Sequence, residues 1–332
     1  MATKDCRSLA LFSHPRTGSN LLLKILNIDE QPSVLSESAS QISSHIFTPA
    51  IKLQFDDRGQ ARRFCDWSED EQNILKKRYK KGLIELMEYV NCAEVSGKMA
   101  FFREHTISIA DPVAQHSFFS GTNLEQEAPW SMPLAGQLEN ERTLLNNTML
   151  PDDLLKECFP IFLIRHPALA FPSYCRVISG TDSSKTKVLQ QAAIVNTYHW
   201  TRSLYDCYRK AFGIRGIVLD ADDIMTDPNL IIGFSKHIGL DPSKLKFTWT
   251  ASSSAKEIAA TQARNAQHKE FMATLETSTG VRKDKTSSQI NIDKEKTKWI
   301  EEFGEELGTH LGVWVTEAMK DYTYLHSNKF SM

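Results

Sequence analysis

No stretch of this 332-residue chain comes near a membrane span. A spanning helix needs roughly 18 or more consecutive apolar residues, so a helical membrane protein is excluded. There is no Cys-x-x-Cys pair either. The six cysteines stand scattered at 6, 65, 92, 158, 175 and 207, without metal-ligand spacing. They read as reduced thiols of a cytoplasmic protein rather than a disulfide scaffold or a zinc module. Nor is charge of one sign in excess. Lys and Arg number 39 against 41 Asp and Glu, a formal net charge of −2, so no field that would gather nucleic acid is present. The Gly-x-x-x-x-Gly-Lys-[Ser/Thr] loop of nucleoside triphosphatases is missing: the only Gly-Lys pair, Gly97-Lys98, has Cys92 where the first glycine belongs. Internal repeats and low-complexity tracts are absent. The first apolar segment starts about seven residues after Met1, which leaves no room for a removable leader. The expectation is a cytoplasmic protein, and the formal glycosylation triplet Asn146-Asn-Thr148 is discounted accordingly.

What the chain does have begins at its start. Arg7-Ser-Leu-Ala-Leu-Phe-Ser13 reads as a buried strand, His14-Pro-Arg-Thr-Gly-Ser-Asn20 as a tight polar turn, and Leu21-Leu-Leu-Lys-Ile-Leu26 as an apolar helix. That order aims a helix N-terminus at one small volume, where its N–H groups and the positive end of the macrodipole favour an anion. Gly18 allows close backbone approach, Arg16 adds a fixed positive charge, and Thr17, Ser19 and Asn20 add short hydrogen-bonding side chains. A second apolar run, Leu154 to Ile164, leads into Arg165-His-Pro167, where Pro167 suits the first turn of a helix. Ser173 follows Arg165 by eight residues, so the two could flank one side of a site. A third run, Gly216-Ile-Val-Leu-Asp220, precedes Asp222, Asp223 and Asp227-Pro228.

Taken in order, these three stretches resemble the sulfotransferases that use 3′-phosphoadenosine-5′-phosphosulfate. Pro15, Arg16, Thr17, Gly18, Ser19 and Asn20 match that family's Pro-[Lys/Arg]-[Ser/Thr]-Gly-[Ser/Thr]-x turn, which holds the 5′-phosphosulfate. Arg165, Pro167 and Ser173 match its Arg-x-Pro segment with a serine eight residues on, which holds the 3′-phosphate. The third run is similar to its Tyr-Glu-Asp-Leu-x-x-x-Pro strand end. The pattern looks most like fungal soluble sulfotransferase-like proteins, and covers roughly residues 7–240. The last ninety or so residues match weakly. The family's Lys-x-x-x-Thr-Val-x-x-x-Glu dimer motif is absent, which leaves the oligomeric state open.

Sulfuryl transfer needs a base for the acceptor's hydroxyl proton and positive charge for the leaving oxygens. Lys98-Met-Ala-Phe-Phe-Arg-Glu-His105 reads as a short strand ending in titratable groups. Soluble sulfotransferases carry Lys-x-His at such a strand end, the His acting as base. Arg103 and His105 resemble that pair, with arginine in place of lysine, and Glu104 is the rival base. Glu37 and His45 fall where related chains place substrate and switch residues. The family's late basic loop, which closes on the 3′-phosphate, has a partial counterpart around Gly280, Arg282, Lys283 and Lys285, though its Gly-x-x-Gly-x-x-Lys is incomplete.

Ser68 with Glu71 makes a capping box for a helix with apolar positions Ile74, Leu75, Tyr79, Leu83, Leu86, Met87 and Val90. The cluster Lys76-Lys-Arg-Tyr-Lys-Lys81 among them reads as a solvated face. Residues 106–150 show little periodicity and suggest either an acceptor-binding lid, with Phe118, Phe119, Trp130 and Met132 as apolar contacts, or a surface insertion. Residues 187–211 read as one long helix bearing Trp200, with Tyr198 and Trp200 core aromatics or an adenine platform. The helix opened by Asp227-Pro228 ends at Gly239.

The expected fold is α/β of P-loop type: three α/β/α layers around a mostly parallel sheet, with strands near 7–13, 98–103, 159–164 and 216–220. It forms a single domain over 1–332, with 252–332 a helical C-terminal portion. The expected activity is transfer of a sulfuryl group from 3′-phosphoadenosine-5′-phosphosulfate to a hydroxyl of a small-molecule acceptor, such as one of secondary metabolism, without a metal. Neither nucleic acid nor membrane is an expected partner. Three other readings stay open: another reaction on the same fold, such as sulfation-assisted dehydration or cyclisation; a non-catalytic binder; and a nucleotide phosphotransferase.

Overall fold

The computed structural model describes residues 8–35, 45–54, 66–121, 130, 132, 142–180, 184–249, 278–282 and 285–332. Four strands, β1 (Ser8–Ser13), β2 (Ala100–His105), β3 (Cys158–Ile164) and β4 (Ile217–Asp220), form one sheet in the order β2-β1-β3-β4. Every residue of β1 and β4 is buried, as are six of the seven in β3. Continuous apolar runs of this kind belong to strands covered on both faces, as in parallel sheets. β1 and β2 run parallel, from Ser8 opposite Ala100 to Ser13 opposite His105. Gly216, just ahead of β4, lies against the start of β3: a Cβ there would come within 2.7 Å of the Phe162 ring and 3.0 Å of the Pro160 carbonyl. The two strands therefore start side by side. The fold is α/β with a mostly parallel sheet, and β2 starts two residues later than its apolar run suggests.

The helices are α1 (Ser19–Leu26), α2 (Thr48–Gln54), α3 (Glu69–Val95), α4 (Thr106–Ile109), α5 (Pro112–Ser120), α6 (Asp152–Glu157), α7 (Pro167–Ser179), α8 (Lys185–Val195), α9 (His199–Lys210), α10 (Ala221–Thr226), α11 (Pro228–His237), α12 (Ile292–Phe303) and α13 (Glu305–Ser327). None among the described residues is long and apolar enough to cross a membrane. The chain divides into two compact units. One comprises residues 1–14, 32–162 and 198–218, the other 15–31, 163–197 and 219–332.

In the first unit, α3 starts at the expected capping box. The Ser68 hydroxyl accepts the Glu71 N–H at 3.3 Å, and the Glu71 carboxylate accepts the Ser68 N–H at 2.8 Å. Leu75, Tyr79, Leu83, Leu86 and Val90 are buried, while Lys76, Lys77, Arg78, Lys80 and Lys81 are exposed, as a solvated face requires. Ile74 departs from that pattern and is 50% exposed. Within the stretch of little periodicity, residues 106–109 and 112–120 form α4 and α5. Asp111-Pro112 is a helix start here: Asp111 Oδ1 accepts the Val113 N–H at 2.8 Å, and Pro112 needs no acceptor. Asp111 Oδ2 also takes the Trp130 N–H and Arg142 Nη2, so the buried carboxylate is fully used. Most of 121–141 lies outside the described residues. The single helix expected over 187–211 is two, α8 and α9. Asn196 closes α8 through its N–H to the Ala192 carbonyl. Tyr198 and Trp200 are buried, as core aromatics are.

In the second unit, α7 begins with Pro167 as its first residue, and the His166 imidazole accepts the Ala168 N–H. Asp227 caps α11 through the Leu230 N–H. The C-terminal portion is helical from 292 to 327. α12 and α13 approach so closely that a Cβ on Gly308 would come within 2.5 Å of Ile300 Cα. Residues 250–277, which include the expected start of that portion, lie outside the described residues.

Candidate active site

The turn after β1 holds two left-handed residues, Arg16 at φ 67° and Gly18 at φ 89°. The second costs a glycine nothing. Gly18 is the N-cap of α1 and supplies no side-chain cap, so the positive helix terminus is presented to whatever anion approaches it. Thr17 and Ser19 are buried and Asn20 is half-buried beside it.

Arg16, Ser173 and Arg165, distant in the chain, meet in the second unit. Arg16 Nε donates to Ser173 Oγ at 3.0 Å, and Arg165 Nη1 donates to the Arg16 carbonyl at 3.2 Å. The Arg16 guanidinium is thus tied to Ser173, and the Arg165 guanidinium to the Arg16 backbone. Burial, and then the charge of Arg165, push the pKa of Arg16 down to about 10. Arg16 remains cationic at neutral pH, and an anion beside it would relieve its repulsion with Arg165. Arg165 Nη2 donates to the Lys285 carbonyl at 3.1 Å, which brings the late loop to this cluster. Arg282 is exposed, and Lys283 lies outside the described residues.

The second group stands at the end of β2 in the first unit. Pleating turns Glu104 to the face opposite Arg103 and His105. The parallel register sets His105 beside Ser13, and Ser13 Oγ lies 3.0 Å from His105 Nδ1. The His45 ring stacks on the His105 ring with centroids 4.0 Å apart. Burial, followed by the neighbouring His45, Arg103 and His14, holds the His105 pKa well below the ordinary imidazole value. It is therefore uncharged at pH 7. Burial and then Arg103 push His45 down to about 3. Arg103 is half-buried, and burial lowers it to about 10 against the pull of Glu104.

Glu104 is completely buried. Its Oε1 accepts the Phe47 N–H at 3.0 Å, and its Oε2 lies 3.8 Å from His45 Nδ1. Burial raises its pKa to about 8, with the Phe47 N–H and Arg103 pulling the other way. The rival base thus keeps its proton over most of the neutral range. Glu37 lies outside the described residues. Ser13, the partner of His105, has a sequence signal: it is the polar residue that ends an apolar strand. The pairing of Asp222 with Ser287, whose N–H donates to Asp222 Oδ2 at 2.8 Å, has none. Among the described residues no group of three or more His, Cys, Asp or Glu could hold a metal.

No protein-family model matches the chain. The sulfotransferase ppzF of Metarhizium rileyi (strain RCEF 4871) is 35% identical over 330 residues, covering 96% of this chain and 95% of its own length. The sulfotransferase ppzF of Metarhizium majus (strain ARSEF 297) is 36% identical over 332 residues, with the same coverage of 96% and 95%. Among solved structures, the sulfotransferase domain from the Synechococcus PCC 7002 olefin synthase aligns over 90% of this chain and 94% of that one, with a TM-score of 0.40 and 13% identity.

Proposed function

Because this chain belongs to the sulfotransferase family, we propose that it moves a sulfuryl group from 3′-phosphoadenosine-5′-phosphosulfate to a hydroxyl of a small organic acceptor. The observation that carries this reading is the Arg16–Ser173–Arg165 cluster next to the N-terminus of α1. Two half-buried cations and an uncapped helix start fit a ligand with two separate anionic groups, and a nucleotide with phosphates on both ribose ends is such a ligand.

The roles follow from charge and proton inventory. The donor supplies the sulfuryl group on a 5′-phosphate. Arg16 and the α1 terminus stabilise charge on the leaving phosphate, and Arg165 with Ser173 recognises the 3′-phosphate. In the tautomer where His105 Nδ1–H donates to Ser13 Oγ, Nε2 carries the lone pair and takes the acceptor's proton. As the acceptor oxygen bonds to sulfur, the bond from sulfur to the phosphate oxygen breaks. Arg103 keeps positive charge beside His105. Glu104, protonated at neutral pH, is unsuited to the base role. The apolar and aromatic residues Phe118 and Phe119 are exposed on α5, which suits an acceptor with an aromatic or polyketide-like skeleton.

Calorimetry with 3′-phosphoadenosine-5′-phosphate, 5′-AMP, ADP and ATP with magnesium tests the reading. The 3′-phosphorylated nucleotide is expected to bind at least about tenfold more tightly than 5′-AMP, as a charge-assisted contact warrants. Arg165→Ala is expected to abolish that preference. Equal binding with and without the 3′-phosphate, or a preference for ATP with magnesium, overturns it.

A further inference from the structure

β4 passes into α10 through two aspartates with different tasks. Asp220 is the helix cap: Oδ1 accepts the Asp222 N–H at 2.8 Å, and Oδ2 accepts the Tyr322 hydroxyl at 2.8 Å. With the cap already supplied, the Asp222 carboxylate is turned to another segment. Its Oδ2 accepts the backbone N–H of Ser287 at 2.8 Å and also the Ser287 hydroxyl. The two residues are 65 positions apart in the chain, so this is a tertiary tie rather than a turn.

Two residues before Ser287, the Lys285 carbonyl accepts Arg165 Nη2. Arg165 Nη1 donates to the Arg16 carbonyl. A planar guanidinium held at both terminal nitrogens has its plane fixed, which two-point recognition of a phosphate requires. One of the two carbonyls sits in the turn that leads into α1. The other sits in 285–287, a stretch with no helix or strand ladder of its own beyond a single turn. Asp222 ties it to the start of α10.

We propose that Asp222 is a positioning residue for the anion site: through Ser287 it pins the 285–287 stretch, so that the Lys285 carbonyl orients the Arg165 guanidinium toward a 3′-phosphate. This rests on the reading of Arg165 given above. Asp222 itself touches no ligand; it acts through Ser287 and Lys285.

The test is the ratio of affinities for 3′-phosphoadenosine-5′-phosphate and 5′-AMP, measured by calorimetry on the full chain. Wild type, Asp222→Ala, Asp222→Asn and Arg165→Ala are compared. Asp222→Ala is expected to cut the preference for the 3′-phosphorylated nucleotide by about tenfold while 5′-AMP affinity stays within about twofold. Asp222→Asn keeps an oxygen that can accept both Ser287 bonds and is expected to restore most of the preference. An Asp222→Ala protein that keeps the preference overturns the proposal, and so does one that loses both nucleotides equally, since that is the mark of a merely structural role. Should Asp222→Ala not fold, Ser287→Ala removes one of the two bonds; a drop of about threefold is expected, and an unchanged ratio overturns the proposal. Wild-type protein without any preference would overturn the 3′-phosphate reading itself. Preference lost in Arg165→Ala but kept in Asp222→Ala would overturn only the role of Asp222.

Discussion

Glu104 carries a proton that its burial forces on it. In the unfolded chain such a carboxyl ionises near 4.5, whereas in the folded protein it does so near 8. Between those values the folded state binds one proton more than the unfolded state, so stability falls as pH rises through that window. Below it both states are protonated and the contribution is constant. Glu104→Gln keeps an oxygen for the Phe47 N–H and removes the ionisation. Urea denaturation of the two proteins from pH 5 to pH 8 is expected to show wild type losing stability relative to the variant, by at most about 1.4 kcal/mol per pH unit. Parallel curves would mean that the carboxylate is ionised in the fold at neutral pH. The proposed chemistry of the strand end depends on this: with Glu104 neutral, the base role proposed for His105 has no carboxylate rival there.

The start of α1 is the element on which the proposed anion site turns. Gly18 sits at φ 89° with nothing within 4 Å of where a Cβ would be. Gly18→Ala therefore costs backbone strain and no clash, about 1–2 kcal/mol, read as a lower urea midpoint with an unchanged m-value. A much larger loss would point to a steric role instead. The strand, turn and helix around this glycine were legible in the sequence because apolar runs are punctuated by Pro15 and Gly18, and the same holds for β3, Pro167 and α7. Other elements were not legible. The apolar spacing of α8 runs on through Asn196 into α9, so period alone cannot find the break. Asp111-Pro112 reads equally well as a turn or a helix start, and burial of the Asp111 carboxylate decides it. Side-chain pairings across long separations escape any local pattern: Ser13 and His105 are 92 positions apart, and Asp222 and Ser287 are 65. The resemblance of motifs named Arg16, Ser173 and Arg165 one by one; their mutual hydrogen bonds are a product of the fold.

The chain passes between its two compact units five times, at 14/15, 31/32, 162/163, 197/198 and 218/219. Neither unit is one continuous segment, so neither can be released by cutting the chain once. Trp67, Trp130 and Trp200 fall in the first and Trp249, Trp299 and Trp314 in the second. Equilibrium unfolding is expected to be a single transition, with tryptophan fluorescence and far-ultraviolet circular dichroism superimposing. Two separated transitions would show that the units unfold independently despite the interleaved chain. On the proposed reading, stability of the whole molecule also responds to anions held by Arg16 and Arg165. A cationic pair held in place by the fold favours any small dianion that reaches it, and an anion bound only to the folded state stabilises that state by mass action. On the proposed reading, sulfate and phosphate, common in precipitation steps and buffers, are expected to act as both preservatives and competitors: preparations kept in them are expected to store well and display weakened nucleotide affinity, and chloride–Tris solutions to reverse both traits.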